Sequence, residues 1–284
     1  MQRHKRRLGI VGFGKLGQYL YKEFHTNQSL SEHFEICFIW NRTPIKNQES
    51  YNFNILENLE DFARFRPDLI IEVAHPNISK TWAKKFLQSS DYFIGSPTAF
   101  CDPLFEKDIL GFLPSCKNKV YIGKGALSGL SELQEYAKLG MIQKLQITME
   151  KAPESINYQG PLPFSLQSMA DIKKDSVSLF RGSVRQLGNF APNNVNTMVI
   201  ASLASGLGLD KTQGELIASP RLQYHNVSWC LEGPKLGNSQ TFKLEMKKHN
   251  PSELGAVTGS LTYASFMQSV KKAQGQQQGV LNFC

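Results

Sequence analysis

The segment Leu8-Gly9-Ile10-Val11-Gly12-Phe13-Gly14-Lys15-Leu16-Gly17 decides how this chain is read. A short apolar run predicts a strand, and the glycines after it are spaced GxGxxG where a helix opens. Gly12 permits a tight turn, Gly14 lets main chain approach a pyrophosphate, and Gly17 lets the helix pack on the strand. The helix N-terminus then turns free N–H groups and the positive end of its dipole toward phosphate. Gly12, Phe13, Gly14, Lys15, Leu16 and Gly17 are therefore expected to grip a dinucleotide.

Outward from this turn, between Arg7 and Phe100, short apolar runs alternate with amphipathic stretches. That alternation implies βαβ units with right-handed crossovers around a parallel sheet, a doubly wound Rossmann domain. Strand-like segments then follow from Lys144 to Met149, Ser176 to Phe180, Asn226 to Leu231 and Thr241 to Met246, with helices from Val195 to Leu207 and Gly259 to Lys271. They predict a second α/β (α+β) domain with a mixed sheet. Residues 1–115 are expected to form the dinucleotide-binding domain, completed by a C-terminal helix over 255–272. Residues 116–254 are expected to carry catalysis, substrate binding and oligomerisation, and 273–284, Gln/Gly-rich from Gln274 to Gly279, to be a mobile tail.

Composition narrows the class of function. The chain has 284 residues, 41% hydrophobic and 20% charged, which suits a globular protein. No run reaches the roughly 20 apolar residues of a membrane helix. The start, Met1-Gln2-Arg3-His4-Lys5-Arg6-Arg7, leads straight into the first strand, so the mature protein is expected to begin near Met1. Cys37, Cys101, Cys116, Cys230 and Cys284 are odd in number and form no CxxC pair, which argues against a disulfide framework or a zinc site and for a reducing cytoplasm. The net charge of +8 comes without aromatic interleaving or a nucleic-acid motif. It suits phosphorylated or dicarboxylate small molecules better than nucleic acid.

The second strand ends in Phe38-Ile39-Trp40-Asn41-Arg42, where an NAD-specific site would place an acidic residue for the ribose hydroxyls. Asn41 and Arg42 leave no carboxylate to repel a 2′-phosphate, so NADP is expected to bind as well as NAD, with Arg42 as its partner or as a solvated loop cation. Later strand ends, Glu72-Val73-Ala74-His75-Pro76 and Gly95-Ser96-Pro97-Thr98-Ala99, place Ala74, His75 and Ser96 toward the cofactor. His75, before a proline, also reads as a turn residue.

These motifs, with Gly125-Ala126-Leu127-Ser128-Gly129, Phe190-Ala191-Pro192-Asn193-Asn194-Val195-Asn196-Thr197 and Gly255-Ala256-Val257-Thr258-Gly259, run in an order that resembles the L-aspartate dehydrogenase family, its animal branch in particular. The resemblance implies a homodimer or higher homo-oligomer that oxidises L-aspartate at its CH–NH2 group with NAD or NADP, giving iminoaspartate, then oxaloacetate and ammonia. It also implies that Ala126 and either Asn194 or Asn196 contact the nicotinamide end, and that His225 is catalytic. The family pattern around that histidine has an aspartate where this chain has Ser219, and one residue is missing upstream. A second registration would place Ser228 there. His225 suits the chemistry, because imidazole titrates in the range where imine hydrolysis needs proton transfer.

Asn194 and Asn196 are two positions apart and cannot point the same way at a helix start, so one is expected to meet the cofactor and the other to cap the helix. Lys151 and Arg181 are candidate anchors for the carboxylates of a dicarboxylate amino acid. Two other activities fit the same residues: an NADP(H)-binding regulator that has lost the reaction, and a related imine or semialdehyde reductase.

Overall fold

The computed structural model describes residues 4–45, 51, 53–158, 175–237 and 239–284. The chain divides into two compact units, Met1–Ala99 with Leu104–Gly123 and Met267–Cys284, and Phe100–Pro103 with Lys124–Phe266.

The first unit is built on β1 (Arg6–Val11), α1 (Lys15–Thr26), α2 (Gln28–Ser31), β2 (Phe34–Trp40), β3 (Ile55–Leu56), β4 (Leu69–Glu72), α3 (Pro76–Phe86), β5 (Asp91–Ile94), α4 (Pro103–Phe112) and β6 (Val120–Ile122), and it is closed by the last strand, β12 (Leu281–Phe283). The strands lie in the order β12-β6-β5-β4-β1-β2-β3. Every neighbouring pair is parallel. Leu8, Ile10, Leu69, Ile70, Ile71 and Ile122 are fully buried, and Leu69, Ile70 and Ile71 are so in succession, so burial does not alternate within these strands, as expected of a parallel sheet covered on both faces. The order in which the chain adds strands reverses at β1, with β2 and β3 on one side and β4, β5 and β6 on the other, and the glycine turn lies at the carboxyl end of β1.

The second unit contains α5 (Leu130–Lys138), β7 (Lys144–Lys151), β8 (Val177–Ser183), α6 (Val184–Phe190), α7 (Asn196–Ala204), α8 (Gly208–Lys211), β9 (Gln213–Ala218), β10 (Tyr224–Leu236), β11 (Gln240–Pro251) and the helix α9 (Ser260–Lys272) that leads back to the first unit. Its sheet runs β11-β10-β7-β9-β8 and is mixed: β7 pairs with β9 in parallel, and the other neighbours are antiparallel. Here burial does alternate. Leu145, Ile147, Met149 and Lys151 of β7 are buried on one face, as are His225, Val227, Trp229 and Leu231 of β10. Helix α7 packs on β7 and α5 and is apolar all round, with Met198, Val199, Ile200 and Ala201 buried, the pattern of a helix enclosed by its own unit.

Two sequence expectations are corrected. The 273–284 segment does not end as a loose tail: β12 pairs in parallel with β6, Cys284 N–H donates to the Ile122 carbonyl at 2.9 Å, and Asn282 holds the Val120 carbonyl at 3.1 Å. A three-residue strand behind a Gln/Gly-rich run carries too little periodicity to be seen in sequence. The unit boundary falls at Gly123/Lys124 instead of 115/116, because β6 belongs to the parallel sheet, and α9 is divided at Phe266/Met267.

Candidate functional site

The glycine turn has the form its sequence demands. Gly12 has φ 114°, and a Cβ there would lie 2.8 Å from the Val73 and Ala74 main chain. A Cβ on Gly17 would collide with the Gly12 carbonyl oxygen, so the helix sits directly against the turn. Gly14, the N-cap of α1, is exposed with nothing within 4 Å of a Cβ, and no side chain caps the helix or places an acid in its first turn. These open N–H groups are the feature a pyrophosphate needs. Lys15 is exposed and Leu16 half-buried on the first turn of α1. The Phe13 ring is buried among Tyr21, Tyr51 and Phe53, so Phe13 serves the site by its main chain.

Asn41 is drawn into this turn: its Oδ1 accepts from Phe13 N–H at 3.0 Å and its Nδ2 donates to the Thr43 carbonyl at 2.8 Å. Arg42 beside it is exposed. His75 caps α3, its Nδ1 accepting from Asn77 N–H at 3.2 Å, and Ala74 is exposed at the strand end. Sequence reasoning missed the residue that organises this edge. Glu72 is fully buried and accepts from Ala74 N–H at 2.7 Å, His75 N–H at 2.8 Å, Ser96 N–H at 2.8 Å and Ser96 Oγ at 3.0 Å. Burial pushes its carboxyl up to about 7 against the pull of these hydrogen bonds. The visible signal was a lone acid ending the apolar run Leu69-Ile70-Ile71.

In the second unit the apolar face of the mixed sheet ends in a polar row. On β11 and β10, Asn250 faces His225 in register. Asn226 of β10 pairs with Glu150 of β7, so one step further along that ladder His225 comes beside Lys151. His225, Lys151 and Asn250 line a cavity of about 70 Å³ with Ala126, Asn194 and Asn196. Lys151 is 2% exposed; its Nζ donates to Asn194 Oδ1 at 3.1 Å and to the Val257 carbonyl at 3.0 Å. Asn194 in turn donates to the Asn157 carbonyl at 2.8 Å. His225 is 5% exposed, hydrogen-bonded to the Ala256 backbone, and its Nε2 is buried without a hydrogen-bond partner among the described residues. Burial, reinforced by the neighbouring Lys151, pushes His225 down to about 4, and burial alone pushes Lys151 down to about 7.

Ala126, Asn194, Asn196 and His225, picked from sequence, thus meet around one cavity. The expected helix cap is corrected: α7 begins after Val195, which has no side-chain cap, and Asn194 is spent on Lys151 and Asn157. Of the two cations, Lys151 is in the cavity, whereas Arg181 is exposed on β8 opposite Glu215. Ser228 sits on the other face of β10, paired with Thr148 and Lys247. Ser219 donates to Glu150, which also accepts from Asn226 Nδ2 at 2.8 Å, so a carboxylate stands beside the serine. Asn250, Thr258 and Gly259 of the cavity wall were not singled out as site residues; their place depends on a hairpin register that no local pattern announces.

Residues 132–273 match the family described as aspartate dehydrogenase, C-terminal, and residues 12–139 match the NAD-binding domain of homoserine dehydrogenase. The chain is 33% identical over 278 residues to an aspartate dehydrogenase domain-containing protein of Xenopus tropicalis, covering 96% of each. It is 25% identical over 208 residues to an L-aspartate dehydrogenase of a Thermotoga strain, covering 73% of this chain and 77% of that one. The fold is also that of the crystal structure of aspartate dehydrogenase from Thermotoga maritima, with TM-score 0.71 at 18% identity, covering 96% of this chain and 99% of that one. With an NAD-binding-type domain and a dehydrogenase-type second unit, the chain belongs to the aspartate dehydrogenase family.

Proposed function

We propose that this protein is an NAD(P)-dependent dehydrogenase of an acidic amino acid, with L-aspartate as substrate, giving iminoaspartate and then oxaloacetate and ammonia. The observation that carries the reading is His225, whose buried Nε2 has no hydrogen-bond partner among the described residues and which lines one cavity with Lys151 and Asn194. A fold that leaves such a nitrogen unsatisfied accepts a penalty of about 1–3 kcal/mol, which is expected where a ligand completes the bond.

The exposed Gly14 and the uncapped start of α1 fit a dinucleotide pyrophosphate, held by the main chain of Gly12, Phe13, Gly14, Lys15, Leu16 and Gly17. Asn41 fixes the turn, and Ala74, His75 and Ser96 form the edge that Glu72 braces. Arg42, exposed after a strand that ends in Asn41 and not in an acid, favours NADP at the adenosine end without excluding NAD. A bound oxidised nicotinamide supplies the hydride acceptor. Ala126 with Asn194 or Asn196 would position its ring and the substrate. His225, neutral above about pH 4 and with Nε2 free to accept, would take a proton from the water that attacks the imine. The uncapped N-terminus of α7 gives the cavity positive character for a substrate carboxylate.

The test is steady-state oxidation of L-aspartate with NADP and with NAD, measured on the wild type and on His225→Ala. Reduced nucleotide should accumulate with ammonia, and His225→Ala should lower kcat by about 10²–10⁴-fold with nucleotide affinity intact. Tight nucleotide binding with no turnover on any acidic amino acid would instead indicate a regulator.

A further inference from the structure

We propose that Lys151 is the base of this site, taking the proton from the substrate's ammonium group before the α-carbon is oxidised. The inference rests on the amino-acid dehydrogenase reading and goes beyond it, because a base and a carboxylate anchor are different uses of the same side chain.

The hydrogen-bond inventory points to the base. Nζ has two acceptors, Asn194 Oδ1 and the Val257 carbonyl. A neutral amine has two N–H donors and one lone pair, so both donors are used and the lone pair is left over. An ammonium has three donors, and here the third would be buried with no acceptor and no carboxylate among the described residues. The residues lining this cavity include two titratable groups, Lys151 and His225. Each holds a main-chain neighbour in the loop after β11, at Val257 and Ala256, and each keeps one nitrogen lone pair uncommitted. The downward shift of Lys151 toward neutrality follows from the same burial. Neither group has a counter-ion among the described residues of the cavity wall, so protonating one opposes protonating the other.

The Nζ lone pair forms an N–H bond as the substrate's N–H bond breaks, leaving that electron pair on the substrate nitrogen. The pair becomes the second C–N bond as the α-carbon gives up its hydride, which a bound oxidised nicotinamide would accept. When water, deprotonated by His225, has added to the carbon, protonated Nζ returns its proton to the nitrogen; the C–N bond breaks with its electron pair leaving on ammonia, the hydroxyl oxygen forms the carbonyl as its proton goes to solvent, and His225 releases to solvent the proton it took from water. Lys151 ends neutral, as it began.

The experiment uses the full chain with NADP(H) bound and lysine labelled with 13C at Cε. One Cε resonance, absent from Lys151→Arg, should titrate near neutrality while the others report charged lysines. In turnover, Lys151→Ala should lose about 10²–10⁴-fold in kcat and the ascending limb of its pH profile. Added primary alkylamines should restore rate in proportion to their basicity, which neither a structural lysine nor a carboxylate anchor would show. A Lys151 resonance that stays charged to pH 9 or above, or rescue indifferent to amine basicity, overturns the proposal even if the wild type oxidises L-aspartate. A neutral Lys151 in a wild type that oxidises no acidic amino acid overturns the dehydrogenase reading, and the base role with it.

Discussion

At the scale of single residues, Lys151 makes a claim about stability as well as chemistry. Its pKa is lowered from 10.5 to about 7 by burial, so between those pH values the folded chain binds fewer protons than the unfolded one. Stability therefore rises with pH through that window, and below about pH 7 the whole penalty of a buried ammonium is present. Lys151→Met should stabilise the protein by about 1–4 kcal/mol near pH 6 and progressively less toward pH 10, measured by urea denaturation at several pH values. A loss of stability at pH 6 would mean that the ammonium is well paired. The glycine turn yields a second residue-scale test. Gly14→Ala should leave the melting temperature nearly unchanged, because a Cβ meets nothing, yet weaken nucleotide binding by about tenfold or more, or about 1.4 kcal/mol. Gly17→Ala should instead unfold or strongly destabilise the chain, since its Cβ meets a carbonyl oxygen. The turn was legible in sequence because glycine spacing encodes backbone geometry directly. Lys151 was visible only as a cation, because its lack of a carboxylate partner among the described residues is a tertiary fact.

At the scale of elements, Glu72 ties the loop after β4 to the loop after β5 through main-chain donors. Glu72→Ala strands the N–H groups of Ala74, His75 and Ser96. It should lower stability by about 2–3 kcal/mol and weaken nucleotide binding, followed by denaturation and calorimetry. Glu72→Gln should recover part of both, having one oxygen to accept. Strand and helix alternation made the parallel sheet readable, and β7 shows why the second sheet could be read as well: Leu145, Ile147, Met149 and Lys151 keep one period-two face, ending in the proposed base. The β12 strand escaped because three residues hold no period, and the start of α7 because Asn194 is claimed by Lys151 and is not left to cap.

At the scale of the whole molecule, the first unit takes three separate stretches of chain, an organisation that local pattern cannot reveal because it depends on which strand closes which sheet edge. Nucleotide preference also belongs at this scale, since the net charge of +8 favours the extra phosphate from a distance and Arg42 at close range. Arg42→Asp should shift the ratio of NADP to NAD affinity toward NAD by about tenfold or more, read from paired calorimetric titrations at fixed salt. An unchanged ratio would make Arg42 a solvated surface cation. The central claim, that the chain oxidises an amino acid at its α-carbon, is tested most directly by following that hydrogen. L-aspartate deuterated at Cα, incubated with the protein and oxidised nucleotide, should yield deuterium in the reduced nicotinamide by mass spectrometry, and His225→Ala should slow its appearance. Bound nucleotide that acquires no deuterium from aspartate would contradict the claim.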